Sequence, residues 1–395
     1  MKEISPRIQV GLVINPSTYY ASNGTIPMLT ARNVTPFRMT DEGANKISEV
    51  SNKLLHSTQI FEKDLVIVRV GYPGATAVVP PELNGVNCAS MVIVRRGKYD
   101  ADYLCYLFNS EIGQSQVSNA SYGSAQSCFN IGSAINFKFP VPPLAEQQTI
   151  AAALGEMDAL LAAQRARLAK QRAVKQGLLQ GLLSGEKRLP GFAGEWEVKR
   201  LGDIGKTYGG LTGKSKKDFE GGKAPYITFM NVMSNSVIDT RRFEFVQITL
   251  KDKQNKVLKG DLLFNTSSET PEEVGMCAVL QEEVRDLYLN SFCFGFRLGN
   301  ETETNAVFLV YYLRSSFGRQ LFYASAQGAT RYNLSKVNFN KLSIPLPSPD
   351  EQRAIADVLT EADAHLAALE AEHAKTQLLK QGMMQNLLTG KIRLV

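Results

Sequence analysis

Cysteine and histidine are scarce in this chain, which has five cysteines and three histidines among 395 residues. The cysteines are odd in number, widely spaced and never form a C-x-x-C pair, so buried, reduced thiols are expected rather than a disulfide framework. They are Cys88, Cys105, Cys128, Cys277 and Cys293. With so few histidines and no cysteine cluster, we expect no metal site.

Long apolar runs and a strong charge bias are also lacking. No stretch of 18 apolar residues exists, and the opening MKEISPRIQV has no signal-peptide features, so we expect a cytoplasmic protein without membrane contact. A net charge of +6 permits a polyanionic partner without arguing for one. The length predicts two or three domains, each able to bury its own core.

The carboxy-terminal part of the chain repeats its own middle. PVPPLAEQQTIAAALGEMDALLAAQ from Pro140 returns as PLPSPDEQRAIADVLTEADAHLAAL from Pro345, and the offset of 345 − 140 = 205 holds without a gap to the last residue. Two copies with so long a period indicate an internal pseudo-dimer rather than a solenoid.

Each copy of the repeat predicts one long helix. Prolines form an extended lead-in, an acidic residue follows in the first turn, and Gly185 and Gly390 suit the helix ends. Apolar residues then recur at alternating three- and four-residue steps, which is typical of a coiled-coil seam. The predicted seam residues are Ile150, Leu154, Met157, Leu161, Leu168, Leu178 and Leu182 in the first helix and Ile355, Leu359, Leu366, Leu369, Met383 and Leu387 in the second.

The middle of this seam is polar in both copies. The polar positions are Gln164, Gln171 and Lys175, and then His373, Thr376 and Lys380. Polar seam residues lower stability and usually fix register or partner choice. Because the chain crosses a whole domain between the helices, an antiparallel pairing closes easily, and we expect an antiparallel coiled coil. Two amphipathic helices, each packed on its own domain, are the alternative.

The segments before the helices are related more loosely. DYLCYLFNSEIGQ at 102–114 matches VFLVYYLRSSFGR at 307–319, short apolar runs at 65–68 and 91–94 indicate buried strands, and Tyr103–Ile112 indicates a helix. The predicted fold class is α+β, with two mixed α/β heads separated by two long helices in an antiparallel coiled coil and an internal pseudo-two-fold repeat. The predicted domains are head one (1–143), a central helix (144–190), head two (191–348) and a carboxy-terminal helix (349–395).

Catalytic motifs are expected to be absent. GGLTGKS at Gly209–Ser215 is one residue shorter than a phosphate-binding loop, so it does not form the same anion nest, and we reject ATP binding. NPSTY at Asn15–Tyr19 is similar to the NPPY box of amino-methyltransferases but lacks the second proline. We expect a non-catalytic protein that binds no cofactor itself.

Several motifs together resemble one known family. The proline–glutamine entry at Pro140–Gln148, its repeat at Pro345–Gln352, the helix endings LLSGEKRLP and LLTGKIRL and the G-D-L element at Gly260–Leu262 resemble the specificity subunit of type I restriction–modification systems. The resemblance covers nearly the whole chain. Head two opens with GEWEVKRLGDIGKTYGG, as the family does, whereas head one opens with MKEISPRIQVGLVINPS and lacks the tryptophan.

The resemblance implies a DNA-binding function. Two target-recognition domains would each read one half of a gapped double-stranded DNA site, and the paired helices would set the gap. Because the heads differ, the site would be asymmetric. The implied partners are methyltransferase subunits, expected to number two, which bring S-adenosylmethionine, and motor-nuclease subunits that join through the complex. A pseudo-two-fold protein also suits two half-sites on a duplex.

Candidate DNA-binding residues fall into two classes, because phosphate contacts supply affinity and base edges supply specificity. The phosphate candidates are Lys206, Lys214, Lys216 and Lys217. The base-reading candidates are the loop residues Arg69, Tyr72, Tyr122, Ser124, Gln126, Ser127, Asn265, Ser267, Arg331 and Tyr332. Arg331 could make two parallel hydrogen bonds to a guanine edge, and Gln126 could make two to an adenine edge. Solvated loops and ordinary turn chemistry stay open as the alternative for both classes.

Two other functions also stay open. The chain is compatible with the recognition subunit of a related system in which methylase and nuclease share one partner chain. It is compatible as well with a coiled-coil scaffold that binds only proteins. Salt dependence distinguishes a DNA-binding protein from a scaffold, because phosphate contacts release counterions and protein contacts do not.

Overall fold

The computed structural model of the chain describes residues 1, 3–121, 129, 131–249, 251–300, 303–325 and 332–394. These residues form two compact units, one of Met1–Ala166 with Ala371–Val395 and the other of Arg167–Glu370. Each unit therefore contains one head together with part of each long helix.

The first unit is a mixed α/β structure. Its strands are β1 (Ile8–Val10), β2 (Ile26–Leu29), β3 (Val34–Thr35), β4 (Arg38–Met39), β5 (Asn45–Ile47), β6 (Leu65–Val68), β7 (Thr76–Val78), β8 (Asn87–Cys88) and β9 (Met91–Val94). Its helices are α1 (Glu49–Leu54), α2 (Ala101–Asn109), α3 (Glu111–Ser121) and α4 (Ile131–Ile135), and α5 (Leu144–Leu183) begins here. The main sheet has the antiparallel order β1-β9-β6-β7, and the smaller sheet has the order β5-β2-β8.

The second unit is built in the same way. Its strands are β10 (Glu197–Arg200), β11 (Gly205–Gly209), β12 (Ala224–Ile227), β13 (Phe243–Val246), β14 (Leu262–Asn265), β15 (Ser267–Ser268), β16 (Cys277–Val279), β17 (Tyr288–Leu289), β18 (Cys293–Leu298), β19 (Tyr332–Asn333) and β20 (Ser343–Leu346). Its helices are α6 (Leu201–Ile204), α7 (Phe229–Ser234), α8 (Ala306–Arg314), α9 (Ser316–Ser325) and α10 (Lys336–Lys341), and α11 (Pro349–Leu387) begins here.

The two heads share one sheet topology. The order β11-β18-β14-β16 repeats β1-β9-β6-β7, and β13-β12-β17 repeats the combination of one antiparallel and one parallel neighbour found in β5-β2-β8. The two heads differ in their first strand. Head two begins with β10, which pairs with β20 just before α11, whereas no such strand pair precedes α5 among the described residues of the first unit. Head one opens directly on β1, which lies beside β9 as β11 lies beside β18.

The two long helices run antiparallel. In the first unit Asp158 of α5 contacts Lys380 of α11, and Gln164, further along α5, contacts the earlier residue Thr376. In the second unit Arg172 contacts Glu370, and Arg188, just beyond the end of α5, contacts Glu351. The predicted antiparallel pairing is therefore confirmed within each unit. None of the described helices combines the length and apolar character needed to cross a membrane.

The ends of the long helices also belong to the cores of the heads. In the first unit Leu154 of α5 and Leu387 of α11 are buried in one cluster with side chains of α2. In the second unit Leu359 of α11 and Leu182 of α5 are buried with side chains of α8. Burial of one such leucine contributes about 1.5–3 kcal/mol. The seam is therefore partly a contact between helices and partly a contact with a head.

The prediction of one helix over Tyr103–Ile112 is wrong, because two helices meet there. Ser110 has an extended backbone (ψ 168°) between α2 and α3, and its Oγ donates to the Leu107 carbonyl at 2.6 Å. A Cβ on Gly113 would lie 2.3 Å from that carbonyl oxygen, so only glycine fits this close approach. Head two repeats the serine and the glycine at the same offset between α8 and α9.

Candidate nucleic-acid interface

The predicted seam residues lie on the covered stripe of both helices. The buried ones are Ile150, Leu154, Leu161, Leu168, Leu182, Ile355, Leu359, Leu369 and Leu387, and the half-buried ones are Met157, Leu178, Leu366 and Met383. The six polar seam residues are also buried or half-buried. A spacing of 3.5 residues that persists along both helices is the pattern of a left-handed coiled coil.

One polar layer of the seam lies in the first unit. Gln164 Nε2 donates to Thr376 Oγ1 at 3.1 Å and to Glu372 Oε1 at 3.2 Å. The oxygen of the same amide lies 3.4 Å from His373 Nδ1. A shift of one helix along the other would leave these groups without partners, so the layer favours a single register.

Each long helix begins beside an arginine that follows the end of the other helix. Arg393 donates to both oxygens of Glu146 at 2.6 and 2.5 Å, and Arg188 donates to both oxygens of Glu351 at 2.5 and 2.6 Å. Bidentate pairs of this kind fix orientation as well as distance. The two pairs are related by the sequence offset of 205, because 188 + 205 = 393 and 146 + 205 = 351.

The glutamine after each of these glutamates attaches the helix to its head. Gln147 accepts from the Asp100 amide at 2.9 Å and donates to the Pro142 carbonyl at 2.8 Å. Gln352 makes the matching bonds to Asn305 and Pro347 at 2.9 and 2.8 Å. The proline–glutamate–glutamine signature is thus explained, because the glutamine satisfies the backbone on both sides of the helix entry.

Replacement of Glu146 by glutamine is expected to make stability less sensitive to acid. Hydrogen bonds from Arg393 lower the pKa of Glu146. The pair therefore stabilises the fold above a pH of about 4.3, the ordinary glutamate pKa, and its contribution is lost as the pH falls through the lower folded-state value. Thermal unfolding between about pH 5 and pH 3 checks this. The melting temperature of the wild type should fall more steeply than that of Glu146→Gln, and equal slopes would contradict the role of the pair.

Two matched aspartates shape the turns that lead to the candidate DNA-binding loops. Asp64, just before β6, accepts from the Phe61 amide at 3.0 Å and pairs with Arg95. Asp261, just before β14, accepts from the Leu258 amide at 2.8 Å and from two nitrogens of Arg297 at 2.8 and 2.7 Å. Both carboxylates are buried, so they hold the strands in place rather than meeting a ligand.

In head one the loop after β6 contacts Phe129, the one described residue of the candidate segment 122–130. The loop after β6 contains Arg69 and Tyr72, and Phe129 comes from the chain that leads to α4. The Phe129 amide donates to the Arg69 carbonyl at 3.0 Å, and Arg69 Nε donates back to the Phe129 carbonyl at 3.2 Å. We call residues 69–75 with Phe129 the first loop pair.

Head two repeats this arrangement with different residues. The Leu334 amide donates to the Thr266 carbonyl at 2.9 Å, and β15 pairs with β19 so that Ser268 lies opposite Tyr332. We call residues 266–270 with 332–334 the second loop pair. The described parts of the two candidate regions are 129 − 69 = 60 residues apart in head one and 334 − 266 = 68 residues apart in head two, and they meet at matched places in both heads.

The candidate base-reading residues differ in their access to a ligand. Tyr72 is 69% exposed at the tip of the first loop pair, while Arg69 and Tyr332 are half-buried. Asn265 and Ser267 are buried, and the Asn265 amide donates to the Glu273 carbonyl at 2.9 Å, so a base contact by either would require movement. The remaining candidates, which lie outside the described residues, are Tyr122, Ser124, Gln126, Ser127 and Arg331.

The lysine candidates also separate into two kinds. Lys206, Lys216 and Lys217 are exposed, and the last two lie on a short 3₁₀ helix at Lys216–Phe219. The side chain of Lys214 is only 6% exposed, and its ammonium lies 2.6 Å from Asp252, whose pKa it lowers to about 2. Lys214 is thus part of the packing of head two in this structure.

The comparison with known families settles the family of the chain. A family model described as the type I restriction modification DNA specificity domain matches residues 9–170 and again residues 193–380. The chain belongs to this family. Its two matches coincide with the internal repeat, so each copy of the specificity domain consists of a head and the greater part of the long helix that follows it.

Individual members of the specificity family are distant in sequence. A putative type I restriction enzyme specificity subunit, MjaX, of Methanocaldococcus jannaschii is 25% identical over 79% of this chain and 72% of its own length. The EcoKI specificity subunit of Escherichia coli is 25% identical over 50% of this chain and 43% of its own length.

Solved structures share the fold. The HsdS subunit from Thermoanaerobacter tengcongensis aligns with a TM-score of 0.54 at 19% identity, over 99% of this chain and 95% of its own. The S subunit of a type I restriction–modification system from M. genitalium aligns with a TM-score of 0.57 at 14% identity, over 98% of this chain and 94% of its own. The predicted α+β fold with paired long helices is therefore confirmed.

Proposed function

We propose that this chain is the DNA-recognition subunit of a type I restriction–modification complex and reads an asymmetric site in two halves. Each head would contact one half-site through its loop pair. The observation that carries this proposal is the repetition of one loop arrangement in both heads with different side chains, Arg69 and Tyr72 in one and Ser268 and Tyr332 in the other. A common scaffold with different surfaces suits two different half-sites.

The paired helices would set the distance between the half-sites. The 40 residues of α5 extend over about 60 Å at the usual helical rise. The bidentate pairs Glu146–Arg393 and Glu351–Arg188 hold each helix start against the end of the other helix, which opposes sliding. The length of the unread gap would then follow from the number of residues in each helix.

We further propose that the chain is not an enzyme and that partners supply the chemistry. The lysine of GGLTGKS, Lys214, is paired with Asp252 rather than free to bind a phosphate. Burial raises the pKa of Cys88, Cys105 and Cys277 to about 12, so these thiols are not activated nucleophiles. Two methyltransferase subunits carrying S-adenosylmethionine, and motor-nuclease subunits, would act in the cytoplasm at the site that this chain selects.

Salt dependence of DNA binding tests this function against a protein-binding scaffold. The full chain with its methyltransferase partner should bind duplex DNA with an affinity that falls steeply as salt rises, because each phosphate contact releases condensed counterions. Mobility-shift titrations at several salt concentrations give the slope. A complex that binds no DNA, or binds it independently of salt, would contradict the proposal.

Replacement of both Lys216 and Lys217 by glutamine should weaken binding equally for all sequences. The slope of log affinity against log salt should become shallower by about 2, because each lost phosphate contact removes about 0.9. Lys256→Gln is the matched control, since Asp286 already neutralises this exposed lysine at 2.5 Å. The control should keep the wild-type slope of log affinity against log salt. If the double variant also kept that slope, Lys216 and Lys217 would not contact phosphates.

A further inference from the structure

Three elements of the first unit meet at one carboxylate. Tyr106 of α2 donates its hydroxyl to Asp158 Oδ2 at 2.6 Å, and Lys380 of α11 lies 2.5 Å from Asp158 Oδ1. Asp158 is on α5. The side chain of Lys380 is 12% exposed and that of Asp158 is 36% exposed, so the charge pair is partly shielded from water. A head, the first long helix and the second long helix are therefore joined through a single side chain.

The second unit contains the same three-way contact. Tyr311 of α8 donates to Asp363 Oδ2 at 2.7 Å, and Lys175 of α5 pairs with the other oxygen, Asp363 Oδ1. The tyrosine and the aspartate lie 205 residues after those of the first unit, because 106 + 205 = 311 and 158 + 205 = 363, and the lysine lies 205 residues before, because 380 − 205 = 175. We call each set a Tyr–Asp–Lys link. The family motif at the helix entry and the loop pairs do not include these residues.

The link of the first unit has an additional component. The Lys380 ammonium lies 4.7 Å from the centre of the Phe37 ring and 5.3 Å from that of Tyr106. Such cation–π contacts strengthen with desolvation. Burial and the hydrogen bond to Asp158 raise the pKa of Tyr106, so its hydroxyl stays protonated and remains a donor.

We propose that the two Tyr–Asp–Lys links are positioning residues that fix the angle of each head on the helix pair and so determine how strictly the gap length is read. This inference rests on the proposed function. The apolar core also attaches each head to the helices, but apolar contacts have no preferred direction. A hydrogen bond to a charged group does have one, and it weakens steeply when its angle changes.

Discrimination against a wrong gap is limited by the weakest part of the connection between the two heads. A duplex with one base pair too many binds only if a head turns or the helices slip. Each link opposes both movements. Turning of the head would break the hydrogen bond from Tyr106 to Asp158, and slipping of the helices would break the contact between Lys380 and the same carboxylate. A weaker link therefore lowers the cost of binding at a wrong gap without changing which bases are read.

Tyr106→Phe tests the link with the smallest change, since it removes one hydroxyl and keeps the ring. The full complex is titrated with duplexes that carry both half-sites and gaps of the native length, one base pair shorter and one longer. The preference is the ratio of the affinity for the native gap to the affinity for a wrong gap. We expect this ratio to fall about tenfold, because loss of a hydrogen bond to a charged group changes an equilibrium by about that factor. Preference among half-site sequences should stay unchanged.

Asp102→Asn on the same helix is the matched control, because Asp102 pairs only with exposed Lys63 at 3.0 Å among the described residues. Asp158→Asn is a second variant that keeps the shape of the side chain, and Tyr311→Phe tests the other link. A wild-type gap preference in all three link variants would overturn the inference. A wild-type complex that binds DNA without preferring any gap length would instead contradict the proposed function, and the inference would fail with it.

Discussion

Removal of one heptad from each long helix should shorten the gap of the recognised site by up to about three base pairs. Seven helical residues span about 10 Å, and successive base pairs rise by about 3.4 Å. Residues 166–172 and 364–370 are suitable, because both segments lie between the polar layer around Gln164 and the Lys175–Asp363 contact and leave both in place. A deletion of seven also preserves the spacing of the seam.

The measurement is methylome sequencing of cells that express the shortened chain with its methyltransferase partner. The half-sites should be those of the wild type, since neither head is altered. A control variant lacks two residues from each helix; it should lose recognition because two residues turn a helix by about 200°, and the seam then points away from the partner helix. An unchanged gap in the heptad variant would refute the role of the helices as a spacer.

Exchange of head two for that of another family member should replace one half-site and leave the other unchanged. The exchanged segment is Glu195–Leu342, which contains the second loop pair but leaves α5 and α11 intact. Each loop pair is made within one head, so no residue of the second loop pair is needed to build the first. The expected result is a hybrid site with the native gap length.

The same sequencing experiment checks this hybrid site. A matched control exchanges head two for that of a relative that reads the same half-site, and the recognised sequence should then be unchanged. If both halves changed in the first hybrid, the heads would not read DNA independently. A changed gap would contradict the assignment of gap length to the helices.

The helices were predictable because their signal is local and repeated. Heptad spacing identified the seam, and the 205-residue offset identified the pseudo-symmetry, before any contact was known. The arginine partners of Glu146 and Glu351 were missed, although Arg188 and Arg393 stand at the same offset in KRLP and KIRLV. Their pairing depends on the antiparallel register, which brings together residues that are distant in sequence.

The DNA-binding residues of the loops were harder to predict, because the same polar residue types both stabilise turns and bind ligands. Polarity suggested Asn265 as a base-reading residue, but its amide is buried and bonded to the backbone. In sequence, Lys214 is the same kind of phosphate-binding candidate as Lys216 and Lys217. In the structure, only Lys214 among these three lies close to Asp252. Such differences arise from tertiary packing, which composition does not encode.

Genome-wide mapping of modified bases in cells that express this chain with its methyltransferase partner tests the central claim most directly. The account predicts one recognised sequence made of two short, different blocks separated by a gap of fixed length and unspecified bases. A continuous recognition sequence, a gap of variable length, or modification that does not depend on this chain would contradict it.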